Sequence, residues 1–79
     1  MADMVEAKVK RILLDILDID EADIVPTASL NELGASSVDA VEILAALENE
    51  FDIDIPDEDT ANLLRSVEGM VEYLQERTS

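Results

Sequence analysis

Aliphatic side chains are nearly all this chain has for an interior. Among its 79 residues are one Phe, one Tyr, no Trp and no Cys, although 48% are hydrophobic. A chain this short buries only about 60% of the surface that its unfolded form exposes. Without cysteine, neither a disulfide nor a thiolate metal site makes up the shortfall. Leu, Ile, Val and Ala carried on helices are the economical way to close such a core.

The order of apolar residues follows that logic. Asp3 with Glu6 is an opening cap signal, and Val5, Val9, Ile12, Leu13, Ile16 and Leu17 then recur at helical spacing. They predict a first helix over about residues 3–17, with Lys8, Lys10 and Arg11 on one side. The connection from Asp18 to Ser36 carries Pro26, and loops of that length are usually functional or disordered. Its regular punctuation by Ile19, Ile24, Val25, Leu30 and Leu33 predicts a loop tacked onto the core, with Ser29 and Glu32 capping one short turn.

A second helix is expected from Ser37 to about Glu50. Ile43, Leu44, Leu47 and Phe51 form its inward stripe, and Asp39, Glu42 and Glu48 stand outward. Val38, Val41 and Ala45 make a weaker stripe beside the first. It reads either as a docking surface or as packing against the long loop, and pattern alone favours packing. The run Phe51–Ile55 alternates like a strand but has no second strand to pair with, so it is read as an extended linker ending at Pro56. A short acidic helix over Asp57–Leu63 should bury Leu63 and Leu64. Ser66 then caps a last helix to about Gln75, with Val67, Met70, Val71 and Leu74 inward. Gly69 inside it costs about 1 kcal/mol relative to Ala. The expected fold is all-α: a four-helix bundle in one domain over 1–79, with a long loop between helices 1 and 2 and a short third helix.

Charge narrows the function. Twenty acidic and five basic residues give a formal charge of −15, and Ile12 through Leu64 contains no positive side chain. Phosphate affinity depends on Lys and Arg, which argues against nucleic acid as a partner. Anionic membranes should repel the chain for the same reason. No apolar run is long enough to span a bilayer and no signal-peptide core opens the sequence, so a cytoplasmic monomer without membrane insertion is expected. Proteins with basic patches are the expected partners. With no His and no Cys, serine-triad and thiol chemistry lack their usual parts. Paired carboxylates need a pocket that separates their pKa values, and a small aliphatic domain offers little room for one. No catalytic residue is assigned. Asp18-x-Asp20 and Asp52-x-Asp54 begin like calcium loops, but each has Asp at the sixth position where Gly is required, and the first ends in Ser29 rather than Glu. No metal site is assigned either. Weak divalent-ion binding at clustered carboxylates would still relieve self-repulsion.

The most informative stretch is Glu32-Leu-Gly-Ala-Ser-Ser-Val-Asp-Ala-Val-Glu-Ile43. Ser36 followed three residues later by Asp39 is a capping-box start, with Asp where Glu or Gln is more usual. That places Ser36 at the N-cap and Ser37 in the first turn. A group esterified to Ser37 would lie where unpaired backbone N–H groups and the positive end of the helix dipole collect, a favourable place for a phosphate diester. The plainer reading is that both serines only start a helix, and the local pattern by itself favours it.

Over nearly its whole length the chain resembles an acyl carrier protein. The resemblance rests on the opening helix, the loop ending in Leu33-Gly34-Ala35, the Ser37 segment, the run Phe51-Asp-Ile-Asp-Ile-Pro-Asp-Glu-Asp59, and Tyr73-Leu74. In that family the motif Asp-Ser-Leu carries 4′-phosphopantetheine on its serine, which aligns with Ser37. The resemblance implies a non-catalytic carrier that holds acyl groups as thioesters on the arm. It implies a phosphopantetheinyl transferase and fatty-acid or polyketide synthesis enzymes with basic patches as partners. Asp39, Glu42 and Glu48 with Val38, Val41 and Ala45 fall on the family's partner-contact face, and Ile43, Leu47, Leu63 and Leu64 on its acyl-chain pocket. Departures are Ser36-Ser37-Val38 for Asp-Ser-Leu, Ala45 where Met is frequent, and Leu30 where Phe is common. Ser caps a helix as well as Asp does, so the first bears on partner choice rather than folding. It leaves open a dedicated carrier for polyketide, peptide or specialised lipid synthesis or a variant of a housekeeping carrier, whereas composition by itself favours an acidic interaction module that is never modified.

Overall fold

The computed structural model describes residues 2–78, with side chains from Met4 onward. The cap expected at Asp3 falls on a side chain outside that range. Helix α1 spans Ala2–Ile16, and Val9, Ile12, Leu13 and the following Leu17 are buried along one stripe while Val5 and Ile16 are half-buried. Leu17 still donates its N–H to the Leu13 carbonyl at 2.8 Å, so the helix frays within a residue of the expected end.

Helix α2 runs from Ser37 to Phe51, α3 from Asp57 to Arg65 and α4 from Val67 to Thr78. The last two extend past their expected ends, α3 by two residues and α4 by three. Each extension ends near a cation, Arg65 or Arg77, which suits the negative end of a helix dipole. Thr78 also donates its hydroxyl to the Leu74 carbonyl at 2.7 Å. The four helices give the expected all-α bundle, and no strand occurs among the described residues. The segment after α2 is extended but unpaired. Asp52 turns the chain with φ +55, a left-handed conformation that Asp tolerates better than most residues.

The long loop is part of the scaffold. Its backbone satisfies helix-end groups that would otherwise lack partners. Val67 and Glu68, the first residues of α4, donate N–H to the carbonyls of Ala28 and Pro26, each at 2.9 Å. Leu30 donates to the carbonyl of Leu64 near the end of α3, at 3.2 Å. Ile24, Leu30 and Leu33 are buried as expected and Ile19 is half-buried. Val25 instead faces solvent, and Ala28 takes an inward place beside Val67. Ser29 and Glu32 cap a turn reciprocally, at 2.9 and 3.1 Å. A single 3-10 turn at Glu21–Asp23, absent from the sequence reading, is held by the Asp23 carboxylate accepting from the Asp20 N–H at 3.0 Å and by the Asp23 N–H donating to the Asp20 carbonyl at 2.9 Å.

The extensive helix pairings are α3 with α4, α1 with α2, and α1 with α4; α2 and α3 share no such pairing. On the outside of the α3–α4 pair, Tyr73 donates its phenol to Asp59 at 2.8 Å, and Arg77 reaches the same oxygen at 3.3 Å while lying over the ring. Gly69 is where these two helices come close. A Cβ there would stand 3.0 Å from Ser66 Oγ, which already caps the Gly69 N–H at 2.9 Å.

Candidate functional site

The site is built at the start of α2. Ser36 is extended, with φ −83 and ψ 176, so its side chain turns back over the first turn of the helix. Its hydroxyl accepts from the Asp39 N–H and the Asp39 carboxylate accepts from the Ser36 N–H, both at 3.1 Å. The box read from the sequence is closed, and Asp serves in place of Glu. Ala40 donates to the Ser36 carbonyl at 2.9 Å, the first bond of the helix.

Ser37 is therefore the first helical residue, and its side chain is exposed. Among the described residues its hydroxyl has no hydrogen-bond partner. Asp39 and Ala40 are occupied by the cap, which leaves the N–H groups of Ser37 and Val38 directed out of the helix end. These are the donors on which a phosphate at Ser37 would lie, with the helix dipole adding attraction. An ester at this hydroxyl displaces nothing and buries no charge.

The neighbouring surface is more apolar than a chain of charge −15 would suggest. Val38 is 67% exposed and Val41 65%, and Ala45 continues the same face one turn on. This exposure rules out packing of the stripe against the long loop, whose hydrogen bonds run instead to α3 and α4. Glu42 is exposed beside it. Asp39 is half-buried, its carboxylate turned into the cap.

Glu48 departs furthest from expectation. It is half-buried rather than outward, and its Oε2 accepts the backbone N–H of Ile55 at 2.8 Å. Its carbonyl accepts from Asp52 and, at 3.1 Å, from Ile53. Sequence reasoning missed this because the partner lies seven residues away across an irregular turn. The one available signal was an acid one helical turn before a segment whose N–H groups no strand could satisfy.

On the opposite face of α2, Ile43 and Leu47 have no exposed surface, and neither has Leu63 of α3; Leu64 is half-buried. They belong to one continuous aliphatic cluster, on two helices that share no extensive pairing with each other. No helix among the described residues is long and apolar enough to cross a membrane. No group of three or more His, Cys, Asp or Glu side chains among them is placed to hold a metal ion.

The family model for the phosphopantetheine attachment site matches residues 7–74, nearly the whole chain. The chain belongs to that family. Its prosthetic group is phosphopantetheine, which the exposed hydroxyl and free N–H groups at the head of α2 are suited to hold. The fold matches the solved structure of an acyl carrier protein from Enterococcus faecalis, noted for high thermal stability. The TM-score is 0.82 at 28% identity, covering 100% of this chain and 99% of that one. The likeness to acyl carrier proteins seen in the sequence thus extends to the whole fold.

Proposed function

We propose that this 79-residue carrier domain bears 4′-phosphopantetheine on Ser37 and carries acyl intermediates on it as thioesters for fatty-acid synthesis. The observation that supports this most is local. One exposed, unpartnered serine hydroxyl sits at the dipole end of α2, directly beside an exposed Val38–Val41–Ala45 stripe. The arm supplies the thiol that the chain lacks. The chain's own residues cap the helix, display the hydroxyl and keep water from the interior. It acts without a catalytic residue of its own, as the substrate of its partners.

In this reading the outward face of α2 is the docking surface. Val38, Val41 and Ala45 give the apolar contact, and Asp39 and Glu42 steer basic surfaces of a phosphopantetheinyl transferase and of the synthesis enzymes. The acyl chain enters between α2 and α3, against Ile43, Leu47, Leu63 and Leu64, where no extensive helix pairing has to be broken to admit it. Ser36 makes a dedicated polyketide, peptide or specialised lipid pathway the second reading, since it removes one carboxylate beside the modification site.

The test is steady-state transfer from coenzyme A by a phosphopantetheinyl transferase. Val41→Asp and Glu42→Lys should each raise KM by about three- to tenfold with little change in kcat, the mark of lost docking. Unchanged KM in both would remove the docking face from the account. If Ser36→Asp improves turnover by housekeeping fatty-acid enzymes, the native serine directs the chain to another pathway.

A further inference from the structure

We propose that Glu48 is a positioning residue: its carboxylate holds the segment joining α2 to α3 in place and takes no part in docking. This goes beyond the carrier reading, and rests on it only for the statement about docking.

Glu48 grips this segment twice. Its carbonyl takes the N–H of Asp52 and of Ile53, closing the end of α2, and its carboxylate takes the N–H of Ile55 at 2.8 Å. Between these bonds the chain reverses through Asp52 in the left-handed region. The segment has no ladder partner, and Ile55 is nonetheless buried at 8% exposure, immediately before Pro56 and the start of α3. A buried N–H without a partner is costly, and Glu48 is the group that meets this one. A carboxylate acceptor makes the bond stronger than a neutral one.

This bond matters because of what α3 lacks. α3 is nine residues long and packs extensively only on α4. Leu64 anchors its far end through the Leu30 N–H at 3.2 Å, and Asp59 ties its outer side to Tyr73 and Arg77. Toward α2, the Glu48 carboxylate is the side-chain tether on the connecting segment. Glu42 lies six residues earlier with its carboxylate exposed and no such bond. Two acids of one helix thus have different work, although a helical wheel shows both as charge.

Replacing Glu48 with Gln keeps a carbonyl acceptor and removes the charge, whereas Ala removes both. Backbone hydrogen exchange in the unmodified protein should show Ile55 losing protection by about tenfold in Glu48→Ala, relative to Leu13 inside α1, and by much less in Glu48→Gln. With the transferase, Glu48→Gln should leave KM within about twofold of wild type while Glu42→Gln raises it further. Two results would overturn the proposal: Ile55 protection unchanged in Glu48→Ala, or a KM for Glu48→Gln raised as far as for Glu42→Gln. Failure of wild type to accept the arm would count against the carrier reading alone, because the exchange result stands without it.

Discussion

The two ends of α2 are fixed by the same kind of bond, a side-chain oxygen accepting a backbone N–H, and they serve opposite purposes. At the head, Ser36 and Asp39 bond each other across three residues, and Ser37 and Val38 between them are open to solvent. At the tail, Glu48 reaches seven residues on to Ile55 and draws the next segment inward. A helix start needs only local partners, so it can be closed without covering the residue beside it. A helix end that must deliver the chain to another helix recruits whatever the turn brings near. The head therefore displays a serine, and the tail builds the wall of the core.

Substitutions along α2 should expose this difference. The largest effect belongs to the inward face: Leu47→Ala, at a site with no exposed surface, should cost about 2–5 kcal/mol in urea unfolding. A loss under about 1 kcal/mol would mean that the interior between α2 and α3 is already slack. Ser36→Ala should cost about 1 kcal/mol through the lost cap and still leave Ser37 open to modification. If it abolished modification instead, Ser36 would belong to the site chemistry rather than to the helix.

Away from α2, the latch on α3 gives a pH test. Burial, then the bond to Asp59, hold the Tyr73 phenol above the ordinary tyrosine range, against the lowering influence of Arg77. The folded chain therefore keeps this proton more tightly than the unfolded chain does. Its contribution to stability is full below about pH 10 and declines as pH rises through the folded value. Tyr73→Phe should flatten that alkaline decline in unfolding free energy. A decline of equal slope in the variant would assign it to other groups. The smallest effect is expected on the outward face, where Val41→Ala should change stability by less than about 0.5 kcal/mol. A larger loss would mean that the exposed stripe packs after all.

The same contrast explains what could be read from the sequence. Ser36 with Asp39, and Ser29 with Glu32, lie three residues apart, and bonds of that span are written in order along the chain. The stripes Val9–Leu13–Leu17 and Met70–Val71–Leu74 were legible because helical period alone sets them. Where the partner comes from tertiary packing, the sequence was silent or misleading. Glu48 looked like one more surface acid, and Val25 looked like an anchor although Ala28 sits inward. The exposure of Val38 and Val41 depended on where a loop of irregular course would pass, which no periodicity encodes. The resemblance to acyl carriers is what points to Ser37, which the local pattern left as an ordinary helix start.

The most direct measurement is the intact mass of the chain before and after incubation with coenzyme A, magnesium and a broad-specificity phosphopantetheinyl transferase, followed by fragmentation. The account predicts a gain of one phosphopantetheine group located on Ser37, and no gain in Ser37→Ala. It would be contradicted by a group found on Ser36, or by no gain in a folded sample while another carrier in the same tube is modified.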